Sequence, residues 1–218
     1  MRRTRERCAV ALLGNHDYGA TGSVDPLRLG AAGSPAVRSI ELARERLSTA
    51  AIEWLRSRKP AACRDGVQCW HGSPRNAVWE YVGSSNAGAC LAVQRAELGL
   101  VGHTHVPAAW QRTPRGTREV KIRPGVPLDI ARGKCPLNPG AVGAPVPSRL
   151  GWWDALEAQA AEGAFWLLLD LEEGTATWRR ARYDPIPART RARALRLDEA
   201  RVHSGQYPGG EAGTGSQD

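Results

Sequence analysis

Lysine is nearly missing from this chain: only Lys59, Lys121 and Lys134 occur, although Lys and Arg together number 30. Basic character is carried by arginine, on a background rich in Ala, Gly and Pro, which is the composition of a GC-rich coding sequence. The formal net charge of +8 is for that reason weak evidence of a nucleic-acid partner. The arginines cluster at Arg2, Arg3, Arg5 and Arg7 and again at Arg179, Arg180, Arg182, Arg189, Arg191, Arg193 and Arg196. Neither cluster is interleaved with aromatics or set in a docking module, as a specific nucleic-acid surface requires. A solvated basic face is the preferred reading. The alternative is a basic interaction module in the Arg-rich terminal helix, whose signature would be salt-dependent DNA binding.

Cysteine is sparse and odd in number (Cys8, Cys63, Cys69, Cys90, Cys135), with no C-x-x-C pair, which argues against a disulfide framework. No apolar run approaches the roughly 20 residues of a membrane span. The start, MRRTRERCAVALLG, has the basic-then-apolar order of a signal peptide. Its apolar run from Cys8 to Leu13 is short for that purpose, and it leads into GNHD rather than a cleavage site. A cytoplasmic location is the expectation. Phe occurs once and Tyr four times against eight Trp; the skew alone carries no function, though the adjacent Trp152 and Trp153 would suit a surface contact.

What is present reads as an α/β protein. Cys8 to Leu13 is a continuous apolar run of the kind that forms a buried parallel strand. Ser34-Pro35 reads as an N-cap and first helical turn, followed by an amphipathic helix from Ala36 to Leu47. Ser48 caps a second helix carrying Ile52, Trp54 and Leu55, which Pro60 ends. Strands are expected at Val67 to Trp70, Leu98 to Val101, Glu119 to Ile122, Phe165 to Leu171 and Thr175 to Tyr183, the last two joined through Glu172-Glu173-Gly174. A basic helix is expected at Arg189 to Arg201. Residues 1–200 read as one domain, and 201–218 as a polar, Gly-rich, disordered tail.

Four of the five histidines follow apolar, strand-like runs in or beside Gly-containing turns: His16, His71, His103 and His105. Strand ends with glycine turns are where α/β folds place their ligand sites. A single histidine is ordinarily a satisfied core or turn residue, and His203 is read that way. Asn15 alone would be a turn residue. Four such placements together point to one site. Neutral imidazoles are common ligands for transition metals, and the Asn15 carbonyl oxygen suits Mn or Fe. With no thiolate in the set, a harder divalent ion or a mixed pair is favoured.

Gly14-Asn15-His16-Asp17, His71-Gly72 and Gly102-His103-Thr104-His105 resemble the third, fourth and fifth signature blocks of the calcineurin-like metallophosphoesterase superfamily. The surrounding GNHDYGATG, HGSPRNAVWEYV, VGHTHVPAAW and LNPGAVGAP resemble its small bacterial phosphodiesterase branch. The resemblance covers most of Cys8 to Pro185. It implies a four-layer α/β/β/α sandwich with a dinuclear metal centre at the strand ends, hydrolysing a phosphodiester or phosphomonoester through a metal-bridging hydroxide. By that resemblance Asn15, His71 and His103 are ligands of the second metal and His105 of the first. His16 contacts the scissile phosphate and serves the leaving group, and Asp17 stands behind these residues. The implied cofactors are two divalent ions, Mn first, with Fe, Zn, Ni or Mg as other fits, and the implied partner is a small phosphoester substrate. Asn138-Pro139-Gly140 resembles a further block, in which Ala141 and Ala144 replace the more usual polar residues.

Two blocks of the pattern are lacking. No D-x-H and no G-D-x-x block precedes GNHD, where Glu6 is the only acidic residue. The blocks would supply the other ligands of the first metal and the bridging Asp, and correspond to a first βαβ unit of roughly 30 residues or more. The segment before CAVALL then reads as the end of a helix, and the CAVALL strand as an exposed sheet edge. As written, the chain is expected to hold at most one weakly bound ion at Asn15, His71 and His103. A catalytically impaired, truncated member or a mis-started gene model is therefore the alternative to a working hydrolase.

Overall fold

The structure is a computed structural model that describes residues 1–131, 133–143, 163–195 and 197. Trp152, Trp153, Ala144, Arg196, Arg201, His203 and the expected tail over 201–218 lie outside the described residues.

The first half is helical, and its helices start where the local chemistry says they should. The Ser34 hydroxyl accepts the Val37 N–H at 3.4 Å and Pro35 occupies the first turn of α3, Pro35–Arg46. Ser48 does the same for Ala51 at the start of α4, Thr49–Arg56. Val37, Ile40 and Leu55 are the buried residues of these two helices, on otherwise polar stretches. Two shorter helices precede them: α1, Arg2–Arg7, wholly exposed, and α2, Asn15–Ala20. A Cβ on Gly19 of α2 would stand 2.9 Å from Ile40 Cδ1, so glycine permits the close approach of α2 to α3. Arg44 and Arg56 then donate to the carbonyls of Gly19 and Thr21 at 2.8 and 2.6 Å, tying down the C-terminal end of α2.

The remainder is built on two sheets. The first has six strands: β1 (Ala61–Arg64), β2 (Val67–Trp70), β3 (Leu98–Leu100), β4 (Ala108–Thr113), β5 (Gly116–Glu119) and β7 (Cys135–Asn138), in the order β1-β2-β3-β7-β4-β5. Its centre is parallel, β2 to β3 and β3 to β7; the pairings of β1 with β2, β4 with β7 and β4 with β5 are antiparallel. The second sheet, β6-β9-β8, is antiparallel throughout and comprises β6 (Leu128–Asp129), β8 (Ala164–Asp170) and β9 (Thr175–Ala181).

The sheets face each other across one core of Val67, Leu98, Ala109, Cys135, Leu137, Ala176 and Trp178, which excludes water from both inner faces. On the outer face of the first sheet, α5 (Ala87–Val93) buries Ala87 and Cys90 against Val101, Ala108 and Trp110. The described residues thus build an α/β/β stack. A last helix, α6 (Ile186–Ala194), follows β9.

Several expectations need correction. Cys8 to Leu13 is not a strand: its described backbone link toward the sheet is Leu13 N–H to the Lys59 carbonyl at 2.9 Å, and no strand pairs with it among the described residues. GNHD is not a plain turn, since α2 begins at Asn15. The strand expected at Glu119 to Ile122 lies earlier, at Gly116–Glu119, where it forms a hairpin with β4. The basic helix starts at Ile186 rather than Arg189.

Candidate metal centre

Two parallel strands set the site. β2 and β3 are in register, Cys69 opposite Leu100, so both chains leave the sheet at the same end. His71 follows directly on β2, while His103 stands three residues beyond the end of β3. The two turns are joined by the Gly102 N–H, which donates to the His71 carbonyl at 3.0 Å. Gly72 is required by packing, because a Cβ there would stand 2.6 Å from the Asn76 carbonyl oxygen. From the other side, α2 brings in Asn15 and His16.

These segments, far apart in sequence, converge. Asn15 Oδ1 lies 3.0 Å from His71 Nε2. The rings of His71 and His103 are 4.8 Å apart between centroids and tilted by 51°. Tyr81 stacks on the His103 imidazole, at 3.9 Å and 11°. The Trp79 backbone also interacts with the His103 ring. His105 and His16 lie at the exposed rim.

The backbone of the third turn is unusual. His103 and His105 have φ of 67° and 61°, the left-handed region that side chains other than glycine seldom enter. Residues held there generally sit where the surroundings over-determine the chain, often at functional sites.

Burial favours the neutral form of His71, His103 and His16. Burial, then the neighbouring charges of His105 and His16, lowers His71 to about 4. Burial, then His71 and His105, lowers His103 to about 4, against a smaller opposing contribution from the Trp79 hydrogen bond. His16 is lowered by burial and by His105, with Asp17 opposing. Asp17 is itself raised by burial, which outweighs the opposing Gly14 N–H that its carboxylate accepts at 2.8 Å across the start of α2. Neutral imidazoles with free lone pairs are the form that binds metal.

Asn15 and His71 could be neighbouring ligands of one ion, with the His103 ring beside that of His71. Their 3.0 Å oxygen-to-nitrogen separation is what two adjacent ligands at about 2.1 Å make around an octahedral cation. Among the described residues no group of three or more His, Cys, Asp or Glu side chains is placed to hold a metal. The groups that shift His71 and His103 include no carboxylate.

No protein-family model matches this chain, and neither does any curated protein. Solved structures do match. A metallophosphoesterase from Sphaerobacter thermophilus superposes with a TM-score of 0.69 and 22% identity, over 90% of this chain and 76% of that one. The chain has a metallophosphoesterase-like fold. A hypothetical protein, PH1004, from Pyrococcus horikoshii OT3 superposes with a TM-score of 0.61 and 19% identity, over 91% of this chain and 73% of that one. At such identities the likeness is one of fold. Among the described residues no helix is long and apolar enough to cross a membrane.

The structure brings together Asn15, His16, His71, His103 and His105, with Asp17 turned to the α2 backbone. Sequence reasoning missed Trp79 and Tyr81, which grip His103. Their only advance signal is an aromatic pair shortly after His71-Gly72.

Proposed function

We propose that this histidine cluster is the metal site of a phosphoesterase acting on a small phosphoester. The observation that carries the reading is the convergence of Asn15, His71 and His103 from three separate segments, with Asn15 and His71 at 3.0 Å. The metallophosphoesterase-like fold supports it. A divalent ion bound there, Mn by preference, would polarise a phosphoryl oxygen and make water acidic. Asn15, His71 and His103 would hold and orient that ion. His16, at the exposed rim beside His105, donates a hydrogen bond or proton to the departing alkoxide.

The donor set supports a second statement about how active this chain is. Two imidazoles and an amide carry no negative charge, so they offset none of the ion's charge, and retention of one weakly held ion and weak turnover follow. The test is Mn-dependent hydrolysis of bis(p-nitrophenyl) phosphate by the purified 218-residue chain, with calorimetric Mn titration alongside. One weakly bound ion and slow hydrolysis abolished in His16→Ala are expected. Unchanged turnover in that variant would refute the role of His16, and tight binding of two ions would overturn the impaired-site reading.

A further inference from the structure

The left-handed turn that carries His103 and His105 is held from the neighbouring strand by a residue that is not among the proposed ligands. Asn138, the last residue of β7, is fully buried at 0% exposure. β7 runs parallel to β3 with Leu137 opposite Leu100, which places Asn138 beside the start of the turn. Its Nδ2 donates to the Gly102 carbonyl at 3.0 Å and to the Thr104 hydroxyl at 2.9 Å. Its Oδ1 accepts the Gly140 N–H at 2.9 Å. A carbonyl can only accept and a backbone N–H can only donate, so these partners fix the amide in one orientation. The Asn138 carbonyl in turn accepts the Trp178 indole N–H at 2.8 Å, from the opposite sheet across the core. Gly140, at φ 86°, packs so closely that a Cβ there would stand 2.6 Å from Pro107 Cγ. The loop after β7 thus clasps the loop after β3 at both ends of the histidine turn.

We infer that Asn138 is a positioning residue: it anchors Gly102 and Thr104, and so holds His103 and His105 in the left-handed backbone form that presents their imidazoles to the site. Gly102 and Thr104, the two residues it bonds, precede the two histidines in alternation. Each strained residue therefore follows an anchored one. The cost of φ near 60° is offset by hydrogen bonds that form only in this turn. The inference rests on the metal-site reading for its consequence and not for its geometry.

Asn138→Asp keeps the shape but, at pH 8, sets an acceptor oxygen against the Gly102 carbonyl, where no donor remains, and forces the Thr104 hydroxyl to turn from acceptor to donor. Thr104→Val removes one acceptor at constant size, and Thr104→Ser restores it. Two readouts separate the two layers of the argument. In the metal-free protein, histidine Cε1–H signals in carbon-edited NMR spectra should move for His103 and His105 in Asn138→Asp and Thr104→Val, while Thr104→Ser resembles the parent. Mn affinity, read by electron paramagnetic resonance, should fall about tenfold or more in Asn138→Asp, the usual scale for residues that orient metal ligands, and remain near the parent value in Thr104→Ser. Unmoved His103 and His105 signals in a folded Asn138→Asp protein would overturn the inference. If Asn138→Asp does not fold, Thr104→Val decides by the same signals. Should the parent protein bind no Mn, the metal-site reading fails, and the metal-free spectra still decide whether Asn138 positions the turn.

Discussion

The two flanks of the candidate site are held in different ways. On one flank, His71 and His103 follow strands that are hydrogen-bonded in a six-stranded sheet, and their turns are tied to each other through Gly102 and to β7 through Asn138. On the other, Asn15 and His16 stand at the start of a six-residue helix. That helix follows an apolar segment with no strand partner among the described residues, linked to the Lys59 carbonyl through Leu13. The first flank is placed by ladder geometry and a filled core; the second is placed by side-chain contacts. A ladder with its core opens cooperatively, whereas an isolated contact opens by itself at small cost. The metal ligands of the proposed site therefore differ in how firmly they are presented, with Asn15 the loosest.

The largest effect should come from breaking the firm flank at its base. Trp178 has 0% exposure, packs with Leu98, Ala109 and Leu137 between the sheets, and donates to the Asn138 carbonyl. Trp178→Ala removes the indole and leaves that carbonyl buried without its donor. The expected loss is about 3–5 kcal/mol, read as a shift in the urea midpoint. A loss below about 1 kcal/mol would mean that the sheets do not depend on this contact and that the two flanks are held alike.

A smaller effect should come from the loose flank. Gly14 has an ordinary φ of -96° but almost no room, for a Cβ would lie 2.8 Å from His71 Cε1 and 2.9 Å from Nδ1. Gly14→Ala must therefore push α2 and the His71 ring apart, which separates Asn15 from His71. We expect an overpacking cost of about 1–3 kcal/mol or less, because α2 can shift more easily than β2. The sharper readout is the His71 ring signal in NMR spectra, which should move while that of His103 stays. Equal movement of both would show that the flanks respond as one unit.

The same division explains what was legible in the sequence. α3 and α4 were readable because their start signals are local: Ser34-Pro35 and Ser48 bond N–H groups three residues away. β2, β3, β8 and β9 were readable as β-rich or apolar runs ending in turns. CAVALL has the pattern of a buried strand yet forms none, because a strand is defined by its partners and the run itself does not name them. β7 was hidden for the opposite reason. It contains Pro136, opposite Gly99 in the middle of the sheet, where proline is ordinarily excluded because it cannot donate to the ladder. α5, with the sequence AGACLAV, offers no polar face from which to read a helical period. The histidines of the site could be found from their glycine turns. How they are gripped could not: Asn138 was marked by its Asn-Pro-Gly block, but it reaches the turn only through the β3–β7 register, and Tyr81 meets His103 only after residues 72–80 have folded back.

Tyr81 offers the smallest and finest test of that contrast. Its ring lies nearly parallel to the His103 imidazole at 3.9 Å, yet the residue is 51% exposed, so water already competes for much of its surface. Aromatic stacking of this kind contributes about 0.5–1.5 kcal/mol, and exposure argues for the lower end. His103 has other restraints, the Trp79 hydrogen bond and the Asn138-held turn. Tyr81→Ala should therefore weaken Mn binding by only about two- to threefold, and Tyr81→Phe, which keeps the ring, should retain most of the affinity. A tenfold loss in Tyr81→Ala would mean that the stack, rather than the turn, sets the imidazole. Presentation of His103 would then rest on one exposed side chain, and the firm flank would be firm in its backbone alone.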